Sequence, residues 1–236
     1  MNIFRQRQSQ KGFTLLELLI VIAIIAVLSV ALILVINPAE TLKKSRDAQR
    51  ISDLGTLKTA IGLVLTSSST PYLSAGNANC FGGATPMVFY SYSGTGAGIS
   101  AAANAVGTDA NGSLAGTGTA GATSIASPGN AAVDGTGWIP VNFSWLTGGS
   151  PISNLPIDPV NTIATLASAT GTDLVYRYAC QSVGSGSKPS NVFELDATLE
   201  SAAYTVTDNK NVKDGGDSST YYEVGTDLRL LPTTGI

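Results

Sequence analysis

The chain has 236 residues, with 13 basic and 16 acidic side chains and a formal net charge of −3 at pH 7. This mild acidity argues against a general nucleic-acid-binding protein, which needs a basic face to neutralise phosphates. The sequence contains no histidine, which excludes Ser-His-Asp and Cys-His catalysis and the common histidine-containing zinc sites. Only 12% of the residues are charged and 26 are glycine, a composition that suits an extracellular or assembled protein better than a free cytosolic one.

The N-terminus combines a short basic leader with a long apolar run. Every charge in residues 1–12 is positive, and the 24 residues from 13 to 36 carry a single charge, Glu17. As a helix this run spans ~36 Å, enough to cross a hydrocarbon core of ~30 Å. Because basic flanks stay on the cytoplasmic side, we expect the leader in the cytoplasm and the rest of the chain on the other side of the membrane.

Two simpler interpretations of this N-terminus are an ordinary secretory signal and a plain signal anchor. A secretory signal usually has an apolar region of ~7–15 residues and a small-residue cleavage site, which Asn37–Glu40 does not provide. A signal anchor explains the length and the basic flank. It does not explain Glu17, because a carboxylate at membrane depth is costly and usually has a partner and a function.

A partner for Glu17 arises if the chain is cut between Gly12 and Phe13. Phe13 then gains a free amino group in the same apolar layer, one helical turn from Glu17. The carboxylate can meet this amine within one helix or on a neighbouring subunit of an assembly. Either pairing offsets the cost of burying the charge, and the second also sets an axial register.

The sequence KGFTLLE, from Lys11 to Glu17, resembles the class III signal of type IV prepilins and pseudopilins. In that family a prepilin peptidase cuts after the glycine and methylates the new N-terminal phenylalanine. The resemblance therefore implies cleavage after Gly12, methylation of Phe13 and a role for Glu17 in assembly. A short leader with phenylalanine after the cut resembles the IVa and pseudopilin branch, whereas the IVb branch usually has a longer leader.

The next segment predicts a second, amphipathic half of the helix over residues 37–66. Its apolar side chains recur every three or four residues and form one stripe, at Leu54, Leu57, Ile61 and Leu65. We expect the stripe to pack on a sheet, while the charged section before it spans the exit from the membrane. Pro38 lacks a backbone N–H and should bend or loosen the helix.

The remainder of the chain predicts a connector and a small sheet. Residues 67–137 form a Gly/Ala/Ser/Thr-rich connector, which from residue 93 onward lacks the apolar periodicity needed for a core. Residues 138–236 predict an antiparallel β-sheet head, and the strand candidates are 137–143, 174–180, 191–195 and 221–224. The segment LPIDP, residues 155–159, resembles the proline-rich turn of pseudopilin-like heads.

The predicted fold class is α+β and pilin-like: a long N-terminal helix, with apolar half 13–36, packed on a small C-terminal antiparallel sheet.

The chain has two cysteines, Cys80 and Cys180. An even pair behind an export-type N-terminus predicts one disulfide around a loop of 100 residues. The chain-entropy account gives such a bond roughly 4–5 kcal/mol of stabilisation. The alternative is a pair of buried, unpaired thiols.

No cofactor is expected from the sequence, and calcium is the one alternative considered. The resemblance suggests it, because major pseudopilins carry calcium in a C-terminal loop, and the candidate ligands are Asp214 and Asp217, near Asp208 and Asp227. Carboxylates are suitable calcium ligands, but their spacing here does not match an EF-hand loop. The run from Asp214 to Asp217 is also typical of an ordinary solvated turn.

The leading hypothesis is a structural subunit of a type IV pilus rather than an enzyme. The sequence contains no Gly-rich phosphate loop with Gly-Lys-Ser or Gly-Lys-Thr, so an assembly ATPase would be a separate protein. The implied partners are further copies of the chain, other pilins, the prepilin peptidase and an inner-membrane assembly platform, and nucleic acid is not expected. The protein would be a single-pass membrane protein with a cytoplasmic N-terminus before assembly and part of an extracellular filament afterwards.

Three alternatives stay open at this point. The chain could be a pseudopilin of a type II secretion-like system, a minor pilin that acts as an adhesin or binding module, or a signal-anchored protein that never polymerises. The last alternative predicts an uncut or unmodified N-terminus and no fibre.

Overall fold

The computed structural model describes residues 12–77, 80–81, 88–91, 131–162, 170–182, 190–231 and 233. Much of the predicted connector, including residues 92–130, lies outside the described residues. The chain divides into two compact units. We call them the anchor unit, up to Leu42, and the head unit, from Lys43 onward.

The first helix, α1, runs from Leu15 to Ile36. Thr14 is its N-cap: its Oγ1 accepts a hydrogen bond from Glu17 N at 3.2 Å and donates one to Glu17 Oε2 at 3.5 Å. Thr-x-x-Glu is the spacing of a capping box, in which the first hydroxyl satisfies a backbone donor that the start of a helix leaves unpaired. The start of the helix is therefore defined by its own sequence.

Most of α1 is long and apolar enough to cross a membrane. Within the part of the chain that the structure describes, Leu15–Ile33 is the one segment that passes this test, with a mean hydropathy of 3.1. Its leucine, isoleucine and valine side chains are 48–82% exposed. An apolar surface of this extent needs a bilayer or other apolar helices around it.

The predicted weak point at Asn37–Pro38 is a break between two helices. Asn37 has a left-handed φ of 44° and ends α1. Pro38 opens the second helix, α2, which runs from Pro38 to Ser67. Asn37 Oδ1 accepts a hydrogen bond from Glu40 N at 3.4 Å, so the residue that ends one helix also caps the next. Proline suits the first helical position, where its missing N–H removes no intrahelical hydrogen bond.

The head unit contains a four-stranded antiparallel sheet with the strand order β1-β2-β3-β4. The strands are β1, Phe89–Tyr90; β2, Tyr176–Gln181; β3, Val192–Thr198; and β4, Tyr221–Gly225. In the register, Tyr178 lies opposite Phe89 on one side and Leu195 on the other. The predicted α+β pilin-like fold class is confirmed, and three of the predicted strands are present. β1 falls inside the segment predicted as connector.

The strand predicted over residues 137–143 is wrong, although this segment is buried. It makes only an isolated bridge, between Asp134 and Asn142, before a 3₁₀ turn. Pro140 lacks the N–H that a ladder would use. The segment instead contributes core side chains directly, and Trp138 donates its Nε1–H to the carbonyl of Pro156 at 2.9 Å.

The core lies between α2 and one face of the sheet. From α2 it takes a stripe of buried side chains, Leu54, Leu57, Ala60, Ile61 and Val64. From the sheet it takes side chains that are 0% exposed, Tyr176, Tyr178, Phe193 and Leu195. Leu65, which was predicted in the stripe, is only partly buried. The last step of the stripe, from Ile61, is three residues rather than the predicted four, and it places Val64 on the buried face instead.

Candidate functional site

The predicted cleavage site precedes the first helical turn. Gly12, Phe13 and Thr14 are non-helical, and Phe13 is 83% exposed. A Cβ added at Gly12 would meet no atom within 4 Å, and Gly12 is not among the glycines with a positive φ. The fold of the described chain therefore does not itself require glycine at this position.

Glu17 sits in the first turn of α1, and its described side-chain contact is with Thr14. The capping contact gives Glu17 a local role that the sequence analysis missed, although the Thr-x-x-Glu spacing was visible. It does not replace the predicted role in assembly, because an exposed cap does not require a carboxylate at membrane depth; glutamine serves the same cap. The two roles make different predictions for glutamine at this position.

Comparison with known proteins singles out this same segment. A family model described as the prokaryotic N-terminal methylation motif matches residues 7–33, which include Gly12, Phe13 and Glu17. The chain carries the class III signal peptide of type IV pilins and pseudopilins. No curated protein and no solved structure matches the chain. The pilin-type assignment therefore rests on the N-terminal segment, and the head is interpreted from its own structure.

In the pilin-like head, Cys80 and Cys180 are joined by a disulfide, with Cα atoms 4.7 Å apart and both residues fully buried. Two backbone hydrogen bonds join the same two segments beside the disulfide. Phe81 N donates to Cys180 O at 2.7 Å, and Ser182 N donates to Phe81 O at 3.1 Å. The bond ties the segment after α2 to β2. A structural disulfide is typical of an oxidising compartment outside the cytoplasm.

A buried ion cluster holds α2 to two loops of the head. Arg50, which is 0% exposed, donates to both carboxylate oxygens of Asp158, at 2.6 and 3.0 Å. It also donates to Asp47 at 2.7 Å and to Glu200 at 2.8 Å. Arg46 forms a second two-bond contact with Glu200, at 2.7 and 2.8 Å. We call these five residues the Arg50 cluster.

The carboxylates of the Arg50 cluster also anchor backbone from the two loops. Asp47 accepts hydrogen bonds from Glu200 N and Ser201 N, and Asp158 accepts from Val160 N at 2.8 Å. Hydrogen bonds from Arg46 lower the pKa of Glu200 to about 2, against the opposing effect of burial. Burial would lower the pKa of Arg50, but its contacts with Asp158, Glu200 and Asp47 together outweigh this and raise the pKa. Arg50 is therefore charged throughout the physiological range.

The second face of the sheet is also buried, and it is polar. Arg177 on β2 pairs with Asp196 on β3, and its guanidinium lies 3.9 Å from the ring centroid of Tyr221. Glu194 and Glu223 lie on the same face and are 0% and 2% exposed. In an antiparallel sheet, a face that carries charged side chains is normally exposed to solvent. The burial of the charged side chains on this face is therefore unusual.

Glu194 and Glu223 are acids held partly neutral by their surroundings. Burial, with the neighbouring Glu223 carboxyl as a further cause, raises the pKa of Glu194 well above its ordinary value of 4.5. Burial also raises the pKa of Glu223 to about 7. Glu223 Oε2 accepts a hydrogen bond from Ser218 N at 2.9 Å, and Glu194 Oε2 accepts from Leu230 N at 2.6 Å.

This pair predicts a loss of stability as pH rises. In the unfolded chain Glu223 ionises near pH 4.5, but in the folded head it ionises only near pH 7. Ionisation therefore favours the unfolded chain between these values, and the contribution of Glu223 to stability falls across this window. We expect Glu223→Gln to be about 1–2 kcal/mol more stable relative to the wild type at pH 8 than at pH 4.5. Denaturant unfolding at several pH values measures this.

Asp208→Asn is the matched control for the pH prediction. Asp208 lies in the loop before β4, and the hydrogen bond from Lys210 lowers the pKa of its carboxyl to about 2. It stays ionised across the window, so its replacement should leave the slope of stability against pH close to that of the wild type. The stabilisation from Glu200 is lost only as the pH falls from its ordinary 4.5 towards about 2, outside the window. Equal slopes for the wild type and Glu223→Gln would contradict the assignment.

The two candidate calcium ligands have different surroundings. Both carboxylate oxygens of Asp214 accept backbone hydrogen bonds, from Gly216 N at 2.9 Å and Glu223 N at 2.8 Å, whereas Asp217 is exposed. Of the neighbours, Asp208 pairs with Lys210 and Lys213. Within the described ranges, no group of three or more acidic or cysteine side chains is gathered around one point that could hold a metal. Calcium at Asp214 and Asp217 stays a prediction.

Proposed function

We propose that this chain is a structural subunit of a type IV pilus. In this proposal the precursor is inserted through α1, cut between Gly12 and Phe13, methylated on Phe13 and polymerised through the apolar surface of α1. The head remains outside the filament core. The chain itself catalyses no reaction, and its processing and assembly depend on a separate peptidase and a separate ATPase.

The observation that carries the proposal is the methylation motif placed directly on an exposed apolar helix. The motif implies processing by a prepilin peptidase and assembly of the pilin kind in general. The Gly12–Thr14 segment is non-helical and exposed, as cleavage by a protease requires, and recognition of Gly12 by that protease would account for a glycine that the fold does not need. The buried disulfide supports a head that lies outside the cytoplasm.

The direct test is the N-terminus of the protein, determined by mass spectrometry from membranes and from sheared surface material of the same cells. N-methylated Phe13 in both fractions is the expected result. N-methylated Phe13 in membranes alone would overturn the surface pilus in favour of a pseudopilin or a scarce minor subunit. An intact leader in cells with an active prepilin peptidase would overturn processing itself.

Glu17 is expected to be required for assembly through its charge. Glu17→Ala should insert and be cleaved normally but should yield little filament, because the new amine of Phe13 loses its carboxylate partner in the apolar layer. The measurement is the amount of protein in the sheared fraction, divided by the amount of cleaved protein in the membrane.

Glu17→Gln separates the charge from the helix cap. Glutamine serves a capping box as glutamate does, so this variant keeps the start of α1 while it removes the charge. If the charge sets assembly, Glu17→Gln fails as Glu17→Ala does. Recovery of filament yield in Glu17→Gln would assign the residue to capping alone, and normal yield in both variants would reject any role of Glu17.

A further inference from the structure

A groove opens on the head unit between the C-terminal end of α2 and the loop of residues 134–147. Its volume is about 620 Å³, within the range of small-molecule sites. Two aromatic rings, Tyr72 and Trp145, line it, with centroids 6.2 Å apart and planes at 79°. Trp145 is 72% exposed and Tyr72 is 45% exposed. A concavity lined by aromatic side chains and a few polar groups is the usual candidate for a ligand site.

Local structure holds Trp145 outward. It lies in the 3₁₀ turn Phe143–Trp145, where Asn142 Oδ1 accepts a hydrogen bond from Ser144 N at 2.9 Å. Phe143, at the other end of the turn, is fully buried and anchors it in the core. The backbone at Trp145 is therefore held by its neighbours, which keeps this side chain at the surface of the groove before any ligand arrives.

The rest of the groove lining offers hydrogen bonds but no positive charge. Hydroxyl and amide side chains surround the aromatic rings: Ser67, Ser68, Thr70, Thr136 and Asn142. Asp134 is the one acidic side chain among the described lining residues, and they include no Lys or Arg. Asp134 Oδ1 accepts from Thr136 N at 3.0 Å and from Thr136 Oγ1 at 2.6 Å, contacts that lower the pKa of this carboxyl. An ionised carboxylate among described lining residues that include no Lys or Arg disfavours anionic ligands.

We propose that this groove binds a neutral saccharide, with a sugar ring stacked on Trp145. The face of an aromatic ring carries partial negative charge and attracts the C–H groups on the flat side of a sugar. The sugar hydroxyls both donate and accept, and so pair with a carboxylate, an amide and side-chain hydroxyls alike. Asp134 and several lining hydroxyls have partners within the protein but keep further acceptor sites. An apolar peptide in the same groove would desolvate those sites without offering them hydrogen bonds, which is costly. The lining of the groove thus favours a saccharide over a peptide. The proposal concerns the head alone and does not rest on polymerisation of the chain.

The test is calorimetric titration of the full chain, solubilised in an amine-oxide detergent because glucoside and maltoside detergents are themselves sugars. The probes are neutral hexasaccharides of β-1,4-linked glucose, β-1,4-linked N-acetylglucosamine and α-1,4-linked glucose, with a polyuronate oligomer as the acidic comparison. We expect at least one neutral probe to bind and the polyuronate not to bind. A blue shift of tryptophan emission should accompany binding, because Trp145 is the exposed indole of the two.

Variants assign the binding to the groove. Trp145→Ala should weaken binding about tenfold or more, because it removes the stacking surface, while Trp145→Phe should keep part of it. Val212→Ala, another exposed apolar truncation that lies outside the groove, should bind as the wild type does. The buried Trp138 reports through its emission that each variant is folded.

Three results would overturn the proposal. The first is the absence of heat and emission change with every neutral probe at millimolar concentration. The second is binding that Trp145→Ala leaves unchanged, which would place it elsewhere on the chain. The third is stronger binding of an apolar peptide or of the polyuronate than of any neutral probe, which would assign the groove to that ligand class.

Discussion

Replacing Arg50 with methionine is expected to destabilise the head by about 3–5 kcal/mol, because it leaves buried carboxylates without their cation. Methionine fills a similar volume, so the loss comes from charge rather than from a cavity. Asp47 and Asp158 are 0% and 4% exposed, and water cannot replace the missing partner. Denaturant unfolding of the full chain, followed through the emission of the buried Trp138, measures the loss.

Arg46→Met is the matched control for Arg50→Met. Arg46 lies one turn earlier on the same helix and binds the same Glu200, but its side chain is 33% exposed. Solvent therefore compensates much of its loss, and we expect a clearly smaller destabilisation than for Arg50→Met. Equal effects of the two substitutions would mean that burial of the charge is not what makes Arg50 important.

A double-mutant cycle locates the effect at Asp158. Asp158→Asn keeps an oxygen that can accept from Val160 N and removes the negative charge. In the Arg50→Met background this second change should cost much less than it does alone, with a coupling of about 0.5–3 kcal/mol. Additive effects would show that the Arg50–Asp158 pair contributes no energy of its own.

The Arg50 cluster also shows where sequence reasoning stopped. The predicted stripe begins at Leu54, yet in the structure the buried positions continue upstream to Arg50 and Asp47 at the same spacing of three and four. The periodicity was therefore present, but charged residues on a helix normally indicate a solvated face. Asp158, the partner of Arg50 in a loop of the head, is 108 residues away in the sequence, and no local pattern connects the two.

Local signals predicted the parts of the fold that local physics decides. The apolar run of α1, the Asn37–Pro38 break and the alternating strands β2, β3 and β4 follow from composition and periodicity within a few residues. Residues 137–143 carry the same alternation without forming a strand, because pairing depends on a partner at the sheet edge and on the N–H that Pro140 lacks. The two-residue strand β1 is too short for any periodic signal.

The candidate sites also differ in whether local sequence could predict them. Gly12, Phe13 and Glu17 form a contiguous motif and could be predicted from seven consecutive residues. The groove at Trp145 could not, because Tyr72 and Trp145 are brought together by the fold from distant parts of the chain. A tryptophan in a sequence does not show whether it is in the core, as Trp138 is, or exposed, as Trp145 is.

The Arg50 cluster and the disulfide stabilise the head by different means. The cluster fixes the start of the buried part of α2 to two loops, through contacts that exist only in the folded chain. The disulfide joins the segment after α2 to β2. Its stabilisation acts mainly on the unfolded chain, because a covalent link removes conformations that the open chain could adopt. Loss of one should therefore leave the contribution of the other largely intact.

Loss of the Cys80–Cys180 bond is expected to destabilise the head by up to about 4–5 kcal/mol, the entropic value for a loop of about 100 residues. Reduction of the wild-type protein and the double substitution Cys80→Ala/Cys180→Ala should both approach this loss, measured by denaturant unfolding with tryptophan emission. The substituted protein loses buried sulfur contacts as well, so its loss should be at least as large as that of the reduced protein.

The loop closed by the Cys80–Cys180 disulfide affects stability mainly through the unfolded state, whose conformational freedom it restricts. It contains the Gly/Ala/Ser/Thr-rich stretch around residues 93–130, a composition that gives an unfolded chain wide conformational freedom when it is not cross-linked. If the entropic account holds, the reduced protein should show a larger denaturant m-value than the oxidised one, because its unfolded chain exposes more surface. A reduced protein as stable as the oxidised one would contradict the prediction and place the stability of the head in the core and the Arg50 cluster alone.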